Sequence, residues 1–201
     1  MKKIFLSILT AVVFSLSGCG AGSAENASEN KTSDVIFLKI GGEENSFVPS
    51  SAKFAAFKKG LMLNDSALAN KNGPVEALVY RIYLANYDLK LTDPKKNEFE
   101  RIGSNGQYRI EIQIEAERDA AVDAPLKTRE YKHNPEPFNR VSWVMIARYK
   151  DGKDSSVILG GGRASGSLKI TSVTDTEISG EVDFSDTDGR VGGKFTAQKI
   201  N

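Results

Sequence analysis

The chain has 201 residues, 27 of them basic and 26 acidic, with one cysteine and one histidine. A formal net charge of +1 excludes a basic nucleic-acid surface and a polybasic membrane patch. Apolar residues at 40% and aromatics at 8% suit a soluble globular domain.

The first stretch reads as a processed leader. Lys2 and Lys3 precede an uncharged, mostly apolar run over residues 4–16, and small residues follow. That order is a charged start, an apolar middle and a cleavage site. As a helix the run would span about 20 Å, against a hydrocarbon core of about 30 Å, so removal is expected rather than permanent insertion. No later run is long enough to span a bilayer.

Leu16-Ser17-Gly18-Cys19 resembles the lipobox of bacterial lipoproteins. The resemblance implies that the Cys19 sulfur takes a diacylglycerol and that a peptidase cuts between Gly18 and Cys19. Ser17 and Gly18 supply the small side chains that such a narrow site needs. The expected partner is therefore a membrane, reached through the Cys19 anchor. Gly20 follows the cysteine, where an Asp commonly retains Gram-negative lipoproteins in the inner membrane. The resemblance thus implies an outer-membrane protein facing the periplasm, if the cell is Gram-negative.

Three segments follow from this: a leader over 1–18, an acylated cysteine and tether over 19–33, and one β-rich domain over 34–201. Loss of Lys2 and Lys3 leaves 25 basic residues against 26 acidic, a net charge of −1. The tether is polar and small, without apolar periodicity, and reaches roughly 20 Å as a flexible coil. The domain has no cysteine, which removes disulfides, thiol catalysis and Cys-based metal sites. It must stand on its own core, and its length allows roughly 70% of the unfolded surface to be buried.

The domain reads as strands in chain order. Residues 35–40 form a short apolar strand ended by Gly41-Gly42. Residues 51–63 are ambiguous, since Phe54, Phe57 and Leu61 also fit helical spacing. Asn64-Asp65-Ser66 fits the cap of a short helix, and Asn72-Gly73-Pro74 breaks the chain. Residues 77–87 alternate, with Tyr80, Ile82 and Leu84 on one face and Val79, Arg81 and Tyr83 on the other. Asn105-Gly106 signals a hairpin turn. The clearest element follows: Tyr108, Ile110, Ile112, Ile114 and Ala116 face one way, and Arg109, Glu111, Gln113, Glu115 and Glu117 the other. A period of two marks a half-buried antiparallel strand.

Residues 119–137 read as a long Pro-rich loop. Residues 141–149 form a strand apolar on both faces, with Val141, Trp143, Met145 and Ala147 together and Trp143 buried. Asp151-Gly152 turns the chain back over 156–159, and Gly160-Gly161-Gly162 makes a bend. Residues 167–173, 178–184 and 191–197 form a closing meander. Its Ile178-Ser179-Gly180 and Gly193-Lys194-Phe195-Thr196-Ala197 phrases resemble the closing hairpins of β-rich bacterial envelope lipoproteins, a resemblance that brings no chemistry with it. About eight strands with short turns predict an all-β fold, an antiparallel sandwich or partly open barrel with at most one or two short helices.

Few constellations carry chemistry. Asp183, Asp186 and Asp188 before Gly189 invite a calcium reading. The spacing, however, puts Phe184 and Phe195 at the first and last ligand positions, so a solvated hairpin tip is expected. Gly160-Gly161-Gly162-Arg163 lacks the Lys-Ser/Thr pair of a phosphate loop. His133 is the only histidine and has no nucleophile motif near it, so it is expected as an exposed loop residue. Trp143 with Tyr80 and Tyr83, and with Tyr87 and Tyr149, forms either an aromatic ligand platform, as in sugar-binding sandwiches, or ordinary strand packing. No catalytic residue, metal site or cofactor is assigned. The expected function is a lipid-anchored envelope protein with a non-enzymatic binding or structural domain. A small-molecule carrier with a barrel cavity and an envelope hydrolase are the alternatives.

Overall fold

The computed structural model describes residues 34–61, 75–93, 98–134 and 136–200, so the expected leader and tether, with Gly18 and Cys19, and the segment around Asn64 lie outside the described residues. Alternation dominates from the first element. β1 (Ile36–Ile40) turns its isoleucines and Leu38 inward and Phe37 and Lys39 outward. Gly41 and Gly42, at φ of 59° and 83°, then make the two-residue turn that a tight hairpin demands. β2 (Glu43–Phe47) returns beside β1.

The ambiguous segment is a strand, β3 (Ser51–Leu61), paired antiparallel along its length with β4 (Val75–Ala85). Partnering by β4 decides the matter that local spacing left open. A small separate hairpin, β5 (Leu91–Asp93) and β6 (Glu98–Phe99), precedes β7 (Tyr108–Glu115). The Asn105-Gly106 turn does not close a hairpin. Gln107 N–H donates to Ser104 O in an isolated turn, and β7 pairs with β4 and β9 instead.

The Pro-rich loop contains a short strand, β8 (Glu130–Lys132). β9 (Arg140–Lys150) and β10 (Lys153–Gly160) form the hairpin around Asp151-Gly152. Of the triple glycine, Gly160 ends β10, and Gly161 and Gly162 open a single 3-10 turn over Gly161–Arg163. β11 (Ser165–Val173), β12 (Glu177–Ser185) and β13 (Gly189–Lys199) complete the meander. Thirteen strands and one 3-10 turn are thus present among the described residues.

All but β5 and β6 join one sheet, in the order β12-β11-β8-β9-β7-β4-β3-β13-β1-β2, with β10 also on β9. Because β12 pairs with β13 as well as β11, the path returns on itself through eight strands. Two seams in that cycle are short and parallel. β8 meets β9 only at Lys132↔Arg140, and β13 meets β3 only at Gln198↔Lys53 and Lys199↔Phe54. The fold is all-β, and the short seams are why both sandwich and partly open barrel describe it. The interior is filled by fully buried side chains such as Ile82, Ile112, Ile146, Phe184 and Phe195.

One irregularity re-aims a strand. Gln113 pairs with Trp143 but Ile114 pairs with Val141, so Ser142 is an extra residue in β9. This bulge puts Val141 into the core beside Val144 and Ile146 and leaves Trp143 on the outer face, only half-buried. The expectation that Val141 and Trp143 share a face, with Trp143 buried, is corrected by that single inserted residue. A second correction concerns β7. Its polar face is covered, with Glu111 8%, Gln113 2% and Glu115 3% exposed.

Candidate functional site: a trough on the outside of β12, β13, β1 and β2

A broad concavity lies outside the filled core. Across the four strands the outward positions form two rows. Asp183 faces Gly192, Gly192 faces Phe37, and Phe37 faces Ser46. One row along, Ser185, Arg190, Lys39 and Glu44 stand in register. The result is a trough of about 670 Å³, floored by Gly192 and Gly193 and walled by Asp183 and Arg190 on one side and Phe37, Lys39 and Glu44 on the other.

The two floor glycines exist for different reasons. At Gly193 the backbone has φ 137°, and a Cβ would stand 2.1 Å from Val35 O. That glycine is required for β1 to approach β13. Gly192 is not required in this way. Its φ lies outside the left-handed region, and the nearest atom to a Cβ would be Val182 O at 3.8 Å. A glycine inside a strand gives up stability and packing, and often marks a place where another molecule approaches the backbone. Here it leaves bare main chain between an acid and an aromatic ring.

Phe37 is an apolar side chain at an outward position of β1, 60% exposed. Of the five charged side chains that line the trough, four form two ion pairs and Glu181 is the fifth. Lys39 Nζ lies 3.2 Å from Glu44 Oε1, and the Arg190 guanidinium donates to Asp183 Oδ1 at 3.1 and 3.2 Å. Both pairs are solvent-exposed, so each contributes little to stability and keeps its donors and acceptors at the surface.

The residues singled out from sequence are dispersed. Tyr80 lies on the core face of β4 and donates its hydroxyl to Ala124 O, and burial pushes its phenol up to about 12, aided by Tyr131 and Glu117. Tyr83 lies on the opposite face, packed edge-on against Phe99 with centroids 4.6 Å apart. Trp143 shares that outer face, but what meets its ring is the Arg81 guanidinium, 5.3 Å from the centroid. Tyr80 therefore does not join Trp143 and Tyr83. His133 is half-buried rather than exposed. Nδ1 lies 2.9 Å from Val141 O and Nε2 2.9 Å from Gly161 O, so the ring bridges the weak seam at β8 and β9. A carbonyl oxygen only accepts, and neither nitrogen is presented to a substrate as a base.

The three tail aspartates serve separate partners. Asp183 pairs with Arg190, Asp186 accepts from Asp188 N–H and Gly160 N–H, and Asp188 faces Arg163 at 3.6 Å. Among the described residues no three His, Cys, Asp or Glu side chains gather as a metal site. None of the described helices is long and apolar enough to cross a membrane. Phe37 and Gly192 escaped the sequence reading. The available signals were an aromatic out of phase in 35–40 and a glycine pair inside the final strand. Comparison with protein-family models, curated proteins and solved structures finds no match to this chain.

Proposed function

We propose that this is a lipid-anchored envelope protein whose β-domain binds a ligand in the outer trough and carries out no reaction on it. The observation that carries the binding half is Gly192. It is a strand glycine that the backbone does not need, set between Asp183 and an exposed Phe37. The anchoring half rests on Leu16-Ser17-Gly18-Cys19 behind a Lys-led apolar run. In a Gram-negative cell Gly20 directs the domain to the outer membrane, facing the periplasm. The carrier reading is less well supported because the interior is packed with side chains and the trough lies outside it. The hydrolase reading is less well supported because both His133 nitrogens face main-chain carbonyls.

Two measurements test the halves separately. Cys19→Ser should remove fatty-acid label from the protein in metabolically labelled cells. Continued label on the variant would overturn the anchor. Gly192→Val should fill the trough without disturbing the fold. In cells lacking the wild-type chain, Gly192→Val at normal level and location should fail to restore the deletion phenotype. Full restoration would overturn binding at this site.

A further inference from the structure

We infer that the trough takes a neutral oligosaccharide, with one pyranose ring stacked on Phe37 and its edge lying over Gly192. This rests on the binding reading above and adds the class of ligand. Three features of the site converge on it.

The first is the flat apolar surface. Phe37 stands in a strand whose other apolar residues are all inside, and its ring borders a stretch of bare main chain. An aromatic ring beside an unfilled floor accepts a flat partner with an apolar face. The carbon-bound hydrogens of a pyranose provide such a face.

The second is the charge arrangement. Lys39 is matched by Glu44 and Arg190 by Asp183, over 3.2 and 3.1 Å. A phosphate or carboxylate would have to displace Asp183 or Glu44 from its cation, and would also meet the carboxylate of Glu181, a third acid on the lining. A sugar hydroxyl both donates and accepts. It can donate to the Asp183 carboxylate and accept from the Arg190 guanidinium while their pairing persists. The mixture of paired donors and acceptors therefore favours a neutral, hydroxyl-rich ligand over an anionic one.

The third is size. A trough of about 670 Å³ lies within the roughly 300–1,000 Å³ of small-ligand sites. An extended peptide is the competing occupant. It would add to the free edge of β2, the last strand in the order, and would not need Gly192 to be bare.

The test is calorimetric titration of the full-length chain in detergent micelles. The probes are chitohexaose, cellohexaose and maltohexaose, with a galacturonate hexamer and an extended Ala/Ser peptide as comparators. Saturable binding of at least one neutral hexasaccharide is expected. Phe37→Ala should weaken it about tenfold, the upper range for one aromatic contact. Gly192→Val should abolish it while the thermal midpoint stays level or rises. Binding by none of the three sugars, preference for the galacturonate hexamer, or sugar binding untouched by both variants would each overturn the inference. If only the peptide binds, and Gly192→Val removes that binding, the sugar is wrong but the trough is still the site. Should Gly192→Val also restore the deletion phenotype in cells, the binding reading falls with it.

Discussion

On the outside of β4, β7 and β9 most of the polar side chains are engaged with one another, although Arg81 Nε is buried without a hydrogen-bond partner among the described residues. Arg81 lies between the rings of Phe57 and Trp143, 5.0 and 5.3 Å from their centroids, and donates to Gln113 Oε1 at 2.9 Å. Gln113 in turn donates to Ser142 Oγ, and Glu115 accepts from Arg140 Nε at 2.7 Å. On the outside of β12, β13 and β1 the same alternation leaves Phe37 in solvent, a glycine in the floor and ion pairs exposed at the rim. The first face uses its donors and acceptors to hold itself together. The second keeps them available. Outward-facing residues are thus not equivalent: most covered donors and acceptors are satisfied by one another, and open ones are free for a partner.

The sharpest way to break this contrast is to remove a partner from the covered face. Glu115→Ala leaves the Arg140 guanidinium beside a vacated, buried position. Breaking a buried pair from one side costs about 3–5 kcal/mol, and chemical denaturation should show a loss of that order. A loss below about 1 kcal/mol would mean the pair behaves like a surface one.

Trp143→Ala should have the next largest effect, roughly half of the ~3–5 kcal/mol typical of a fully buried aromatic, because the ring is only half-covered. Intrinsic fluorescence of this sole tryptophan should be intermediate in wavelength and partly quenched by iodide. Blue-shifted emission immune to iodide would return the ring to the core and contradict the bulge at Ser142.

Tyr80→Phe removes the hydrogen bond to Ala124 O and should cost about 1 kcal/mol at neutral pH. Its pH signature is distinctive. The folded phenol is raised from 10.0 to about 12 by burial, so the unfolded chain ionises first. The stability this group contributes is complete below pH 10 and is lost as pH climbs toward 12. Stability measured over that window should fall less steeply in Tyr80→Phe than in wild type. Parallel curves would assign the alkaline loss to other groups, among them Tyr83 and Tyr131, whose phenols are also raised by burial.

The smallest effect has the opposite sign. Gly192→Val adds a strand-favouring side chain whose Cβ meets nothing closer than Val182 O at 3.8 Å, and it should raise stability by about 0.5–1 kcal/mol. A destabilised Gly192→Val would mean that this glycine serves the backbone, and the contrast between the two faces would lose its main support.

Much of the architecture was legible because alternation is a local signal. The strands at 108–116, 167–173, 178–184 and 191–197 follow from which residues must leave water, with turns where Gly41-Gly42 and Asp151-Gly152 stand. The strand nature of β3 was not legible, because Phe54, Phe57 and Leu61 satisfy two periodicities until β4 pairs alongside. The site is legible only in its neighbours: the spacing of Asp183, Asp186 and Asp188 marks a hairpin tip, whereas Phe37 and Gly192 come together only through cross-strand register.

By itself the sequence determined the all-β class, the inward rows of isoleucine and valine, and the expectation of an anchor at Cys19. Each depends on residues adjacent in the chain. Tertiary structure decided which outer face is covered, where Trp143 points and what His133 bridges. It also brought Asp183, Gly192 and Phe37 into one row. Those outcomes depend on cross-strand register and on one inserted residue in β9. A shift of one position reverses every side chain beyond it, so local patterning cannot specify them until the strands have met.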